Sequence, residues 1–148
     1  MISKPHATET MKDEFGKVAY TVPSTHYIGL STTPITASTG LGFTEPANVG
    51  YVRQAITNNT TNWVVNAAGD IANGEVIEFD AFTATLSGTN ITHWFISAKE
   101  NASATGDRAD YFDVLKDSSG NTVTFPVTSG GKIVVAAGNL KLGRTNPD

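Results

Sequence analysis

From about residue 27 onwards, clusters of turn-forming residues separate short apolar runs of the sequence. They recur roughly every 8 to 12 residues, which is the spacing of strands in an antiparallel sandwich or barrel. Glycine, asparagine and serine favour these turns because glycine, and to a lesser degree asparagine, accepts the positive φ angles that tight hairpins need. The clusters include Asn73-Gly74, Ser87-Gly88, Ser119-Gly120-Asn121 and Ser129-Gly130-Gly131.

Between these turns, apolar and polar residues alternate as they do in half-buried strands. In the first such segment Ile28 and Leu30 share a face, and in the second Tyr51 and Arg53 share a face. The pattern predicts an all-β protein. The predicted strands span residues 26–31, 51–57, 61–66, 75–82, 90–98, 111–115, 122–127, 132–136 and 139–142.

One short helix is predicted at residues 8–17, near the N-terminus. Threonine is available to cap it, acidic residues occupy its early turns, and Pro23 lies beyond its end. Met11, Phe15 and Val18 follow one another at helical spacing and would form one apolar stripe. We therefore expect this helix to pack on a sheet through that stripe.

The length of 148 residues suits one ordinary domain, so we expect residues 1–148 to form a single domain, with residues 1–7 and 143–148 mobile. The absence of cysteine excludes disulfides and thiolate metal sites. No apolar run approaches the roughly 18 residues that cross a membrane, and the first residues lack the apolar core of a signal peptide. We expect synthesis in a host cytoplasm and no membrane partner.

The charge of the chain argues against a nucleic-acid partner. The net charge is −4, and the lysines and arginines are thinly spread rather than clustered into the basic face that holds nucleic acid. Charged residues make up only 16% of the chain, whereas threonine, serine and asparagine are abundant. This composition suits sheet faces that pack against other protein surfaces.

A long loop at residues 31–50 connects the first two predicted strands, and a second polar loop at residues 98–110 should project from one end of the sheet. Connections of about twenty residues usually carry a function or meet a partner. Glu45 and Arg53 flank the first loop. Arg53 can fold back on Glu45 and pin the loop, or it can reach a neighbouring subunit, and we favour the pinned loop.

The same loop carries three apolar side chains, Ile35, Leu41 and Phe43. Large apolar side chains grouped on one exposed loop would mark an interaction surface. We therefore predict that all three are buried, either against the sheet or against another subunit, and that the loop is the contact element of the protein.

No catalytic residue is predicted. The histidines His6, His26 and His93 are the natural candidates for a base or a metal ligand. However, the sequence has no Gly-x-Ser-x-Gly turn that would hold a hydrolytic nucleophile. His93 can serve as a base or ligand, or it can hydrogen-bond a neighbouring loop, and we favour the loop contact.

No metal or cofactor is predicted either. Four aspartates are close enough in sequence to raise a calcium site, but the central glycine and terminal glutamate of an EF-hand are missing. An irregular interstrand calcium site stays open as the alternative. Glu75 and Glu78 fall on opposite faces of a predicted strand, which makes them a poor glycosidase pair. The four aspartates are Asp107, Asp110, Asp113 and Asp117.

The aromatic side chains leave two interpretations open. They can line a platform on which sugars stack, or they can fill the core, and in a β protein of this size we favour the core. The candidates for such a platform are Trp63, Trp94, Tyr27, Tyr51, Tyr111 and several phenylalanines.

Several short motifs occur in a fixed order across roughly residues 11–142, and in that order the chain resembles the small tail-fibre-type virion proteins of tailed bacteriophages and prophages. Each motif alone is an ordinary strand or turn, so the resemblance depends on their succession. The motifs are Phe15-Gly16, Tyr20-Thr21-Val22-Pro23, Tyr27-Ile28-Gly29-Leu30, Thr44-Glu45-Pro46, Gly50-Tyr51-Val52-Arg53, Phe79, Thr92-His93 and Ala137-Gly138-Asn139-Leu140.

The resemblance implies a structural or attachment role in a virion and no reaction. Together with the strand pattern, it predicts an antiparallel β-sandwich, jelly-roll-like, with a short N-terminal helix. We expect a tail-fibre or minor tail protein that contacts itself, as a homo-oligomer, and other virion proteins. The alternatives are a head decoration protein that stabilises the capsid, and a module that binds a carbohydrate of the host cell wall.

Overall fold

A computed structural model of the protein describes residues 1–67, 69–117 and 119–142. The predicted mobility of residues 143–148 therefore lies outside the described residues. The described elements are α1 (Lys4–Glu14), β1 (Thr25–Ser31), β2 (Gln54–Thr57), β3 (Trp63–Val65), β4 (Ile71–Asn73), β5 (Ile77–Glu78), β6 (Asn90–Ile91), β7 (His93–Ser97), β8 (Tyr111–Val114), β9 (Phe125–Pro126), β10 (Val134–Val135) and β11 (Lys141–Leu142).

The strands form one larger sheet and three small ones, and every pairing described is antiparallel. The larger sheet has the order β2-β1-β7-β8, and the small sheets have the orders β11-β4-β3, β10-β5 and β6-β9. The described residues form no closed barrel. The prediction of a mostly antiparallel β protein with one short helix is confirmed, whereas the jelly-roll-like sandwich stays a prediction.

The main core lies on one face of β1 and β7. Ile28 pairs with Ile96 and Leu30 pairs with Trp94, and all four side chains are buried. They pack with apolar residues from the small sheets and the loops. Complete burial of an isoleucine or leucine contributes about 1.5–3 kcal/mol, so this face holds the fold together.

The opposite face of β7 is covered as well. Phe95 is fully buried there with Ile35, Ala109 and Phe112. Gly29 of β1 pairs with Phe95, and a Cβ on Gly29 would lie 2.2 Å from the phenyl ring. Only glycine leaves room for the Phe95 ring at this position, which explains why β1 carries a glycine here.

The helix differs from its prediction at residues 8–17. It begins at Lys4, with Pro5 in its first turn, where proline is well tolerated. It packs through His6, whose ring contacts Tyr111 of β8 at a centroid distance of 4.9 Å. The apolar stripe is exposed instead: Met11, Phe15 and Val18 are 56%, 70% and 61% accessible. The expected packing of that stripe on the sheet is therefore wrong.

The residues before the helix extend the edge of the larger sheet. Ile2 bridges to Tyr111, and the Ser3 N–H donates to the Asp110 carbonyl at 2.9 Å. The N-terminal amine of Met1 donates to the Phe112 carbonyl at 2.8 Å. These contacts place the first three residues along β8, and the expected mobility of residues 1–7 stays a prediction.

Strand β4 was not predicted, because it has only three residues and lies between two turns. Its last residue, Asn73, pairs with Trp63 of β3, is fully buried and makes side-chain hydrogen bonds as well. The Asn73 amide donates to the carbonyls of Glu75 and Ala136 at 2.8 and 3.0 Å, and its Oδ1 accepts from the Leu140 N–H at 2.8 Å. This one side chain therefore ties three backbone segments together.

The other strands are mostly shorter than predicted. The segment 51–57 is a strand only at Gln54–Thr57, the segment 75–82 only at Ile77–Glu78, and the segment 90–98 divides into β6 and β7. Within the described part of the chain, no helix has the length and apolar character that crossing a membrane requires.

Candidate functional site: an arginine that joins two long loops

Arg53 stands directly before β2 and points its side chain into the protein, where only 2% of it is accessible. Two carboxylates meet it there. Glu45 comes from the loop at residues 31–50, and Asp107 comes from the loop at residues 98–110. The sequence places these two acids 62 residues apart (107 − 45), so the fold alone brings them together.

The guanidinium uses all five of its N–H donors. Nε and Nη2 donate to the two oxygens of Glu45 at 2.9 and 2.8 Å. Nη1 and Nη2 donate to the two oxygens of Asp107 at 2.9 and 2.7 Å. Nη1 also donates to the Lys99 carbonyl at 2.8 Å. Two bidentate pairs on one guanidinium fix both loops in position and orientation.

Aromatic rings line this same site. The guanidinium carbon lies 4.8 Å from the ring centroid of Phe95 and 5.6 Å from that of Phe43. Phe43 and Phe95 stack on each other with centroids 4.4 Å apart. The rings keep water from part of the charged cluster and attract the cation through their faces.

Further hydrogen bonds connect the two carboxylates to the sheet. The Tyr51 hydroxyl donates to Glu45 Oε1 and accepts from the Leu30 N–H of β1, both at 2.8 Å. The Ser97 hydroxyl of β7 donates to Asp107 Oδ1 at 2.7 Å. We call this set the Arg53 cluster: Glu45, Tyr51, Arg53, Ser97 and Asp107.

Burial and charge set the ionisation of the cluster. Burial opposes the charge on Arg53, but the hydrogen bonds to Asp107 and Glu45 prevail and raise its pKa above the ordinary value. Burial and the nearby Glu45 raise the pKa of Tyr51 well above its usual range. Arg53 thus stays cationic and Tyr51 stays neutral, so neither of them offers a proton for catalysis near neutral pH.

The three apolar residues of the loop have different environments. Ile35 is buried beside Phe95, and Phe43 is half-buried in its stack on the same ring. Leu41 is 49% accessible and bridges to Thr36 across the tip of the loop. The sheet does not bury Leu41, so for this side chain the alternative of burial against another subunit stays a prediction.

The loop tip is held by its own hydrogen bonds. The Thr36 N–H donates to the Leu41 carbonyl, and the Thr33 hydroxyl donates to the Gly42 carbonyl, both at 2.7 Å. The Ser31 hydroxyl accepts from the Thr44 N–H at 3.0 Å. Leu41 is therefore an exposed apolar side chain on a fixed support.

The histidines are scattered, and burial lowers the pKa of each of them. His6 shares a hydrogen bond with the Tyr111 hydroxyl at 3.1 Å. His26 packs edge-to-face on Trp63 at 5.7 Å. His93 Nδ1 shares a hydrogen bond with the hydroxyl of the adjacent Thr92 at 2.8 Å.

Each of the four aspartates considered for calcium has its own partner. Asp107 pairs with Arg53, Asp110 with Arg108 and Asp113 with Lys116. Asp117 accepts hydrogen bonds from backbone N–H groups of the turn that follows it. The described residues contain no group of three or more acidic or histidine side chains that could hold a metal ion. Glu78 pairs with Lys132, and Glu75 lies outside the strands.

The aromatic residues considered for a sugar platform lie mostly in or against the core, and the platform itself stays a hypothesis. Four of them, Trp94, Tyr51, Trp63 and Tyr111, belong to the main core or pack against it.

Sequence reasoning paired Glu45 with Arg53 but missed Asp107 and the Lys99 carbonyl. The only available signal was chemical, since a guanidinium with five donors can hold a second carboxylate.

One protein family corresponds to nearly the whole chain. The model of the family described as Podophage GP4 fiber I protein gp80 matches residues 1–143. A search of curated proteins finds no match to the chain.

Proposed function

The chain belongs to the podophage GP4 fiber I protein family, a phage tail-fibre-type structural family, and from this membership we propose a non-enzymatic role in the virion. In this proposal it is a tail-fibre or minor tail subunit that acts as one domain through protein–protein contacts, both with its own copies and with other virion proteins. The Arg53 cluster is the observation that carries the proposal, because it fixes two long loops and leaves no donor of Arg53 for a ligand.

Fixed loops suit a contact role for an energetic reason. A loop that becomes ordered on binding loses conformational entropy, at about 0.5–1.5 kcal/mol for each immobilised side chain. The Arg53 cluster and the hydrogen bonds of the loop tip remove that loss before contact. Leu41 is then presented on a rigid support, so it needs little further ordering before it contacts a partner.

A second surface also favours assembly. Met11 near the end of α1, and Phe15 and Val18 just beyond it, are large apolar side chains that are exposed. Exposed apolar surface of this kind marks protein contacts when its members adjoin. Two separate contact surfaces suit a subunit that meets both its own copies and a different virion protein.

Head decoration is the alternative within the same class, since a capsid-stabilising protein also works through contacts. Location in the particle separates the two, because a decoration protein covers the head shell. The fibre description of the family favours the tail.

The contact role is tested by complementing particles that lack this chain. Leu41→Asp places a charge on the loop tip without touching the Arg53 cluster, and Phe15→Asp does the same at the end of α1. Val65→Asp changes a side chain that is 71% accessible in β3 and serves as the matched control. Each variant is first checked for an unchanged melting temperature.

We expect Leu41→Asp or Phe15→Asp to lower the amount of chain bound to purified particles at least tenfold, which corresponds to about 1.4 kcal/mol of contact energy. Val65→Asp should incorporate as the parent does. Parent-like incorporation of both contact variants would contradict the role of these surfaces.

A further inference from the structure

An open groove lies on the far side of β7 from the Arg53 cluster and shares no residue with it. It has a volume of about 440 Å³, within the range of small-molecule sites. Its walls come from the end of β8, from β10, and from the turn that leads into β11. Trp94 and Leu140, both nearly buried, contribute to its apolar floor.

The charged side chains of the groove balance one another. Lys116 donates to Asp113 at 2.9 Å, so this pair is internally neutral. Asp117 keeps its charge because backbone N–H groups, first that of Asn121, lower its pKa. Lys141 adds a second positive charge, so the lining carries two positive and two negative side chains. A balanced lining favours neither an anion such as phosphate nor a cation.

The groove also offers polar groups that the protein does not use. Among the described residues, the side-chain amide of Asn139 and the ammonium of Lys141 have no hydrogen-bond or ion-pair partner. An amide supplies both a donor and an acceptor, and an ammonium supplies donors. Together they can bind hydroxyl groups, which donate and accept at the same atom.

An aromatic ring stands beside these groups. Phe125 of β9 lines the groove and is 41% accessible, so part of its ring is free for a ligand. Trp94 is only 8% accessible and lies on the floor. Aromatic rings bury apolar faces efficiently, and the C–H face of a sugar ring is such a face.

We propose that this groove binds a neutral saccharide, with Phe125 against the ring face and Asn139 and Lys141 on its hydroxyl groups. A peptide strand fits less well, because strand addition needs free backbone donors. The Val114 N–H at the open end of β8 is already held by Asp113 Oδ1 at 2.8 Å. The proposal does not depend on whether the chain sits on the tail or the head.

Trp94 provides a built-in reporter. The chain has two tryptophans, so Trp63→Phe leaves Trp94 as the only one. Trp63 lies against His26 and has a buried, unpartnered indole N–H, so phenylalanine should be tolerated there. A glycan array first ranks neutral and charged sugars. The fluorescence emission of Trp94 is then followed while neutral oligosaccharides are added. The probes are chitotetraose, maltotetraose and a galactose disaccharide.

We expect a saturable change in Trp94 emission with at least one neutral oligosaccharide. The double variant Phe125→Ala with Asn139→Ala should raise the dissociation constant at least tenfold, and Val65→Ala, outside the groove, should leave it unchanged. The double variant should still enter particles as the parent does, which separates this proposal from the contact role.

Three results would overturn the saccharide site. These are an array without binding to any neutral sugar, binding that is confined to charged sugars, and binding that the double variant retains in full.

Discussion

Replacing Arg53 by methionine is the change that most severely tests the structure. Methionine keeps much of the aliphatic stem but removes all five hydrogen bonds. It leaves Glu45 and Asp107 facing each other without a cation, with side chains that are 14% and 4% accessible. Two poorly solvated carboxylates then lie together, which is unfavourable for both.

The magnitude follows from burial rather than from a count of bonds. Hydrogen bonds to charged groups contribute about 1.5–3 kcal/mol each, and a sum over five would far exceed the net effect. The desolvation of the ions offsets most of that sum, and removal of one partner from a buried pair costs about 3–5 kcal/mol. For a domain with about 5–15 kcal/mol of stability, we expect the melting temperature to fall by roughly 10 to 15 °C.

Urea unfolding followed by tryptophan fluorescence gives the free energy of unfolding. Lys132→Met is the matched control, because it removes the cation of the exposed Lys132–Glu78 pair and should cost less than about 1 kcal/mol. Amide exchange should rise mainly in the loops at residues 31–50 and 98–110. Adding Glu45→Gln and Asp107→Asn to Arg53→Met should restore part of the lost stability by removing the stranded charges.

A loss of under about 1 kcal/mol for Arg53→Met, equal to that of the exposed control, would show that the buried cluster stabilises the fold no more than a surface ion pair does. Unchanged exchange in both loops would show that the Arg53 cluster does not hold them.

Three further predictions concern the core, the pH dependence and the loop. Gly29→Ala should destabilise the protein by about 3 kcal/mol in urea unfolding, because its Cβ would lie 2.2 Å from the Phe95 ring; a loss below about 1 kcal/mol would show that the ring moves freely. Since burial lowers the pKa of the histidines from 6.5, the unfolded chain takes up protons first as the pH falls, so stability should decline below about pH 6.5. His6→Gln should reduce the slope of the free energy of unfolding against pH in this range by up to about 1.4 kcal/mol per pH unit. An identical slope in the variant would show that His6 does not contribute to the pH dependence. Phe43→Ser removes the stack on Phe95 and should cost about 2 kcal/mol, whereas Leu41→Ser, at an exposed site, should leave the melting temperature unchanged.

The parts of the structure that sequence reasoning anticipated depend on local patterns. The shared face of Ile28 and Leu30 follows from strand alternation, and both side chains lie in the main core. Glu45 and Arg53 lie eight residues apart, so a fold-back contact could be considered from sequence alone. Alternation and short spacing carry such information because they do not depend on distant parts of the chain.

The parts that sequence reasoning missed depend on tertiary contacts. Asp107 joins Arg53 across 54 residues, and no local pattern encodes which of several aspartates does so. The polar Asn73 resembled a plain turn residue, although it is a buried connection between backbone segments. The helix packs through His6 because the N-terminal residues pair with β8, which overrides the apolar stripe.

The location of the chain in the particle decides whether it is a tail-fibre subunit of a virion, as we propose. Antibodies against the purified chain, visualised with gold on particles of the phage or prophage that encodes it, should label the tail at positions related by symmetry. Label distributed over the head shell would support the decoration alternative and contradict that proposal. Purified particles that carry no label and no detectable chain would contradict any virion role.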